Sequence, residues 1–314
     1  MQSAFIPTIG FSLAAAMLVS LVAVGSSHEP AHVSGSDHRP VQTDTFEAGE
    51  RQRVTMSEML DLAEAALAST IANVDDYTAR MIKHEQDRSG VLQPPSESLI
   101  KVSTRHRGGK PNSPMKVYLR FDSPDAVKGR EVIWIENEND GKMLVREAGM
   151  IGGMMTVPLA PDSFLAMRGQ RYPITEIGLT RLLEKLIERG GEDRDSEDVR
   201  VFKTEGYPFD GRELTLLEII RSRPSGREGD FSRAELVLDR QRNVVVSFRS
   251  FGWPDANLAD ANLAVPSLVG PDLTADEAAE LPLIESYQYL DLELNVGLSD
   301  EDFSTSNPEY TFKK

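Results

Sequence analysis

Between Pro114 and Glu147 the chain reads PMKVYLRFDSPDAVKGREVIWIENENDGKMLVRE, three strand-like runs separated by turn signals. Met115, Val117, Leu119 and Phe121 alternate with Lys116, Tyr118 and Arg120. That period of two describes a strand with one buried and one wet face. Glu131–Glu136 reads as the next strand. Asn139-Asp140-Gly141, residues that tolerate positive φ, turns the chain into a third strand at Lys142–Glu147. The same alternation marks strands at Tyr77–Met81 and Ser98–Arg107 before this block. After it come Val199–Thr204, Arg212–Ser222, Ser232–Asp239, Val244–Trp253 and Ile284–Leu294. In the last of these, Tyr287 and Tyr289 face away from Leu290, Leu292 and Leu294.

Two segments follow a helical period instead. Thr55-Met-Ser-Glu58 is a capping box, and Met59, Leu60, Ala63, Leu67 and Ile71 follow at helical spacing, so a helix is expected to about Ala72. Thr175 is a candidate N-cap for a second helix, with Ile177, Leu179, Leu182, Leu183, Leu186 and Ile187 as its apolar positions. Gly190-Gly191 is placed to end it. Residues 148–175 between them read as irregular. Helix, five strands, helix and five strands, joined by short turns, predict an α+β fold: a strongly curved antiparallel sheet with helices covering its concave face. Arg212–Arg221 (RELTLLEIIR) and Val132–Ile135 carry bulky aliphatics on both faces, so these strands are covered on both sides. A filled core and a hollow apolar cavity both fit that pattern, because periodicity does not distinguish them.

The amino-terminal part stands apart from this pattern. Phe5–Val24 is almost wholly apolar, and Ala23-Val24-Gly25 puts small residues where a secretory signal peptide is cleaved. At about 20 residues the run also suffices for an uncleaved membrane anchor. Both readings export the rest of the chain to the periplasm or cell envelope. Residues 26–53, rich in Ser, His, Gly, Pro and charge, read as a flexible tether. The folded domain is expected over residues 54–314, with an Ala-, Leu- and Pro-rich loop inserted at about 255–281.

Composition narrows the chemistry. The chain of 314 residues has no Cys, which removes disulfides and thiolate metal sites, and a net charge of −16, which opposes binding to nucleic acid or anionic headgroups. His28-Glu29-Pro-Ala-His32-Val-Ser-Gly35-Ser-Asp-His38 matches the zinc-binding string of the metzincin proteases. It sits in the tether, with no sheet upstream to support a helix and with Pro30 between the ligands, so the string lacks its structural context. No nucleophile elbow, phosphate-cradling loop or dinucleotide fingerprint occurs, and no cofactor is implied. Asp291 and Glu293 share a strand face, where solvation is the ordinary role for carboxylates. Arg146-Glu147 and Arg171-Tyr172 read either as surface pairs or as polar gates at a cavity mouth.

The strings at 114–147, Arg171-Tyr-Pro-Ile-Thr-Glu-Ile-Gly-Leu179 and Tyr287–Phe312 (YQYLDLELNVGLSDEDFSTSNPEYTF) resemble a bacterial envelope family, domain-of-unknown-function family 1571, over about residues 56–312. Phe251-Gly-Trp253-Pro254 and Pro282-Leu283-Ile284-Glu285 resemble it as well, on either side of the inserted loop. The order of elements resembles the LolA-like superfamily of envelope lipoprotein carriers, to which Pro114–Phe121 and Asp140-Gly141 correspond. That resemblance implies a half-barrel whose concave apolar face accepts acyl chains, and it supplies no catalytic residue. The expected function is therefore noncatalytic binding or carriage of lipid or lipoprotein acyl chains. The expected lining is Met115, Val117, Leu119, Phe121, Ile133, Ile135, Leu214 and Leu216, with the helix at 175–189 as a lid. The alternative is an envelope sensor or scaffold with a filled half-barrel that binds a protein partner. Membrane association is expected to be transient or through the amino-terminal segment.

Overall fold

A computed structural model describes residues 49–110, 112–148, 155–227, 229–253 and 281–313. The apolar export segment, the histidine string and nearly all of the loop at about 255–281 lie outside the described residues. Twelve strands form one sheet: β1 (Arg51–Val54), β2 (Asp76–Glu85), β3 (Ser96–Ser103), β4 (Lys116–Ser123), β5 (Glu131–Ile135), β6 (Met143–Arg146), β7 (Thr156–Leu159), β8 (Val199–Phe209), β9 (Arg212–Arg221), β10 (Arg233–Asp239), β11 (Val244–Phe251) and β12 (Leu283–Leu294). Their order is β1-β8-β9-β10-β11-β12-β2-β3-β4-β5-β6-β7. Every pairing is antiparallel, and β1 and β7 end the order, so the sheet is open. Two meanders, β2–β7 and β8–β12, are thus joined where the last strand returns to pair with β2.

The two strands that alternation does not reveal are the two edges. β1 occupies the end of the segment read as a tether; Arg51 and Arg53 make it a charged strand of the kind that blunts a sheet edge. β7 lies in the stretch read as irregular and contains Pro158, which cannot donate to a ladder and is tolerated at an edge.

Helix α1 (Met56–Asn73) opens as its sequence directs: the Thr55 hydroxyl accepts from the Glu58 amide at 3.1 Å, and Glu58 Oε2 accepts from the Thr55 amide at 2.7 Å. Helix α2 (Leu179–Glu192) departs from expectation at both ends. Residues Ile174–Glu176 form a 3-10 turn, and the N-cap is Gly178 at φ 133°, a conformation that favours glycine. Nor do the glycines terminate it. Gly190 lies within α2 against α1, where a Cβ would come within 2.8 Å of Leu60 Cδ2. Glycine here permits close helix approach rather than capping.

Three apolar clusters hold the fold. Met59, Leu60, Ala63 and Ala66 of α1 and Leu183 and Leu186 of α2 pack on Val201, Leu217, Ile219, Leu236 and Val245 of β8–β11. A second cluster runs from Tyr77, Ala79 and Met81 through Ile100, Val102, Val117, Val132 and Trp134 to Val145, and includes Leu214, Leu216, Val237 and Leu292. The third lies on the other face of β4 and β5. There Tyr118 and Ile133, register partners, are covered by Leu298, Phe303, Tyr310 and Phe312. The Tyr118 and Tyr310 rings stack with centroids 4.0 Å apart. Glu131, buried beneath them, accepts from the Tyr118 hydroxyl (3.1 Å), the Thr311 amide (2.8 Å) and the Thr311 hydroxyl (2.7 Å). The face of β4 expected to be wet is therefore sealed by the acidic C-terminal segment.

One further departure has a backbone cause. β12 pairs regularly with β2 through Leu290↔Arg80, then shifts register before Glu293↔Thr78, with Asp291 at φ 51°. An extra residue in one strand reverses the parity beyond it. Tyr289 and Leu292, of opposite parity in sequence, accordingly join the same core. Asp291 itself is exposed and pairs with Arg80 at 2.9 Å.

Candidate functional site

A cavity of about 500 Å³ opens between the inner face of the sheet, α2 and the loop that follows β7. Its volume falls within the ~300–1,000 Å³ range of small-molecule sites. The strands reach it by register. Leu119 faces Val132, which faces Val145, and all three line the wall together with Phe121. From the other meander come Ile219, Ala234 and Phe248, and from the seam strand Tyr287 and Tyr289, which sit beside Lys83 and Met81 of β2. Leu182 and Leu186 of α2 and Val157 and Leu159 of β7 complete the apolar surface.

Of the eight residues expected to line a cavity, Leu119 and Phe121 do so. Met115, Val117, Leu214 and Leu216 belong to the contiguous core but not to the cavity wall. Ile133 and Ile135 are on the opposite face, under the C-terminal segment. The correction is one of parity: Val132 and Trp134 share the face of Leu119 and Val117, so their neighbours point outward. Because Val132–Ile135 is apolar at every position, sequence alone assigns no inner face.

One part of the wall is polar and tightly wired. Lys83 Nζ donates to Glu85 Oε1 at 3.1 Å and to Gln170 Oε1. The Arg171 amide donates to Glu85 Oε1 at 2.9 Å. The Tyr287 hydroxyl donates to Glu85 Oε2 and lies 3.3 Å from Glu285 Oε2. Arg171 Nε stands 3.6 Å from Glu285, and the Ser250 hydroxyl donates to Glu285 Oε1 at 3.3 Å. Burial raises the Glu285 carboxyl above the usual carboxylate range, with Arg171 opposing it. Burial, followed by the charges of Glu285 and Glu85, pushes the Tyr287 hydroxyl far up, so it stays a donor. Tyr172 is likewise raised by burial, and Lys185 Nζ sits 3.8 Å from its ring centroid.

Of the two pairs read as surface pairs or gates, Glu147 and Tyr172 line the cavity. Arg146 instead is buried and donates to the Phe312 carbonyl at 3.3 Å, on the sealed side. Among the described residues no group of three or more His, Cys, Asp or Glu is placed to hold a metal, and no helix is long and apolar enough to cross a membrane. What the site offers chemically is an apolar hollow with a charged, hydrogen-bonded wall.

The model of the family "Protein of unknown function (DUF1571)" matches residues 74–312. The comparison with curated proteins gave no match. Among solved structures, a DUF1329 family protein from Desulfovibrio piger is similar at 15% identity, over 80% of this chain and 98% of that one, with a TM-score of 0.35. A domain described as an outer membrane lipoprotein-sorting protein from Vibrio parahaemolyticus is similar at 12% identity, over 83% and 100%, with a TM-score of 0.34. A LolA superfamily protein from Nitrosomonas europaea is similar at 10% identity, over 80% and 98%, with a TM-score of 0.28.

Proposed function

This chain belongs to the DUF1571 family, and we propose that it is a noncatalytic binder or carrier of lipid, or of lipoprotein acyl chains, in the cell envelope. The observation that carries the reading is the cavity of about 500 Å³, whose strand-derived walls are mostly aliphatic and aromatic. A hollow of this kind gains from hydrocarbon at ~25 cal/mol per Å² of apolar surface removed from water. In this reading the sheet acts as a strongly curved half-barrel, residues of both meanders face one acyl chain, and α2 is the lid through Leu182 and Leu186. Export would deliver the domain to the compartment where such cargo moves, with transient membrane contact or a retained amino-terminal anchor.

Leu119→Glu tests this directly. Leu119 is buried on the cavity wall, so a carboxylate there is expected to abolish lipid co-purification while circular dichroism reports an intact fold. Unchanged lipid content in a well-folded variant contradicts the proposal. A charge at Leu216, buried in the core away from the cavity wall, is expected to act on stability instead.

A second reading, docking of an envelope protein, is favoured by a separate observation. Met155 and Phe164 are 70% and 84% exposed; Phe164 adjoins Leu165 of the cavity rim in sequence, and Met155 is separated from Val157 of the rim by Thr156. Exposed apolar residues grouped in this way mark interaction surfaces.

A further inference from the structure

The charges around the cavity do not balance one another. Six basic side chains line it (Lys83, Arg130, Arg168, Arg181, Lys185 and Arg189), against five acidic ones, in a chain whose net charge is −16. Each acid has a partner. Glu147 pairs with Arg130 at 3.0 Å, Glu85 with Lys83 at 3.1 Å, and Glu176 with both Arg181 (2.8 Å) and Lys185 (3.1 Å). Asp193 is held by Arg221 and Arg227, and Glu285 faces Arg171. Among the described residues, Arg168 and Arg189 have no carboxylate within ion-pair distance.

Arg189 is the more constrained of the two. It follows Arg181 and Lys185 at i+8 and i+4 on α2, a spacing that sets the three cations in one row along the helix. Leu182 and Leu186, one position on from Arg181 and Lys185, form the adjoining apolar row on the cavity wall. The guanidinium of Arg189 is half-buried and donates to the Gly229 carbonyl at 3.4 Å; its charge also reaches Glu285 and Tyr172 on the same wall, but neither accepts a hydrogen bond from it, so most of its donors have no acceptor among the described residues. A planar cation fork beside hydrocarbon matches a carboxylate or phosphate bidentately, and low local polarity strengthens such a pair.

Resting on the lipid-binding reading, we infer that the cavity selects amphiphiles with one anionic headgroup, a carboxylate or a phosphate, held at Arg189 with the chain along Leu186 and Leu119. An uncharged ester or alcohol of the same chain length brings no anionic acceptor to Arg189 and gains only the apolar contacts.

The test compares cis-parinaric acid with its methyl ester on the full chain by fluorescence titration. The acid is expected to bind at least about tenfold tighter, the scale of one charge-assisted hydrogen-bonded contact. Arg189→Met removes that advantage and leaves ester binding unchanged, and Arg189→Lys restores part of it. Arg223→Gln, an equal loss of charge at an exposed ion pair with Asp198 outside the cavity, keeps the preference. Displacement of the probe by palmitate ahead of lysophosphatidic acid supports a carboxylate head, and the reverse order a phosphate. Equal binding of acid and ester by the native protein, or parallel weakening of both by Arg189→Met, overturns the headgroup assignment and leaves lipid binding standing. Absence of binding by either probe overturns the lipid-binding reading and the assignment with it.

Discussion

The two faces of β4 and β5 begin from similar sequence and end in different states. Outward, Tyr118 and Ile133 meet Tyr310, Phe303 and Phe312, and the carboxylate of Glu131 ties the cover down. Inward, Leu119, Phe121 and Val132 face a hollow of about 500 Å³. The difference lies in what each face is given to pack against. The C-terminal segment brings flat aromatics that stack on one face, whereas α1 and α2 fill the inner face chiefly over β8–β11. A strand apolar on both faces, such as Val132–Ile135, reports that both are covered; it does not report whether the cover fills the space.

Truncating the outer cover is expected to have the largest effect on stability. Tyr310→Ala removes the stack on Tyr118 and should destabilise by ~3–5 kcal/mol in denaturant titration, with lipid content unchanged. A binding loss as large as the stability loss would dissolve the distinction between the faces. Ile133→Ala should follow at ~2–5 kcal/mol, because close packing there cannot collapse into the gap. Leu119→Ala should rank below Ile133→Ala, since its side chain already borders a void and the added cavity term is small. The opposite ranking would mean that the inner face is the more tightly packed one.

The polar wall gives a test that depends on pH. Glu285 holds its proton more tightly when folded than when unfolded, because burial raises its carboxyl. Its contribution to stability is therefore full below about pH 4.5, the ordinary value, and is lost as the pH rises through the higher folded value. Glu285→Gln keeps a neutral group and removes this loss. The difference in melting temperature, variant minus native, is expected to grow more positive between about pH 4 and about pH 8. A difference that stays flat or falls would show that Arg171 outweighs burial. The smallest effect is expected at the start of α1, where Thr55→Ala removes the cap hydroxyl and costs ~1 kcal/mol in denaturant titration, leaving ligand binding as it was.

Much of this architecture is legible in the sequence. The capping box at Thr55–Glu58, the turn at Asn139–Gly141 and the alternation of Tyr77, Ala79 and Met81 are local signals, and each reappears as written. What escaped depends on partners distant in the chain. Val132–Ile135 is apolar throughout, so only its pairing with β4 decides that Val132, not Ile133, faces inward. The bulge at Asp291 moves Leu292 to the face of Tyr289, against the simple count along β12. By sequence Gly190 resembles a helix end, because glycine ends many helices, whereas its reason is the side chain of Leu60 on another helix. For the site, Arg171-Tyr172 was a visible hint of a polar mouth. The wiring of Glu85, Glu285 and Tyr287, drawn from β2 and β12, had no local signal at all.

On the lipid-binding reading, the hollow beneath the inner face is the space that hydrocarbon occupies. Native mass spectrometry of the full chain, purified without detergent from its own host, measures this most directly. Lipid binding predicts adducts of amphiphile mass that denaturation releases and that Leu119→Glu lacks. A folded protein that arrives at its bare mass, and takes up no fatty acid when offered one, would contradict it.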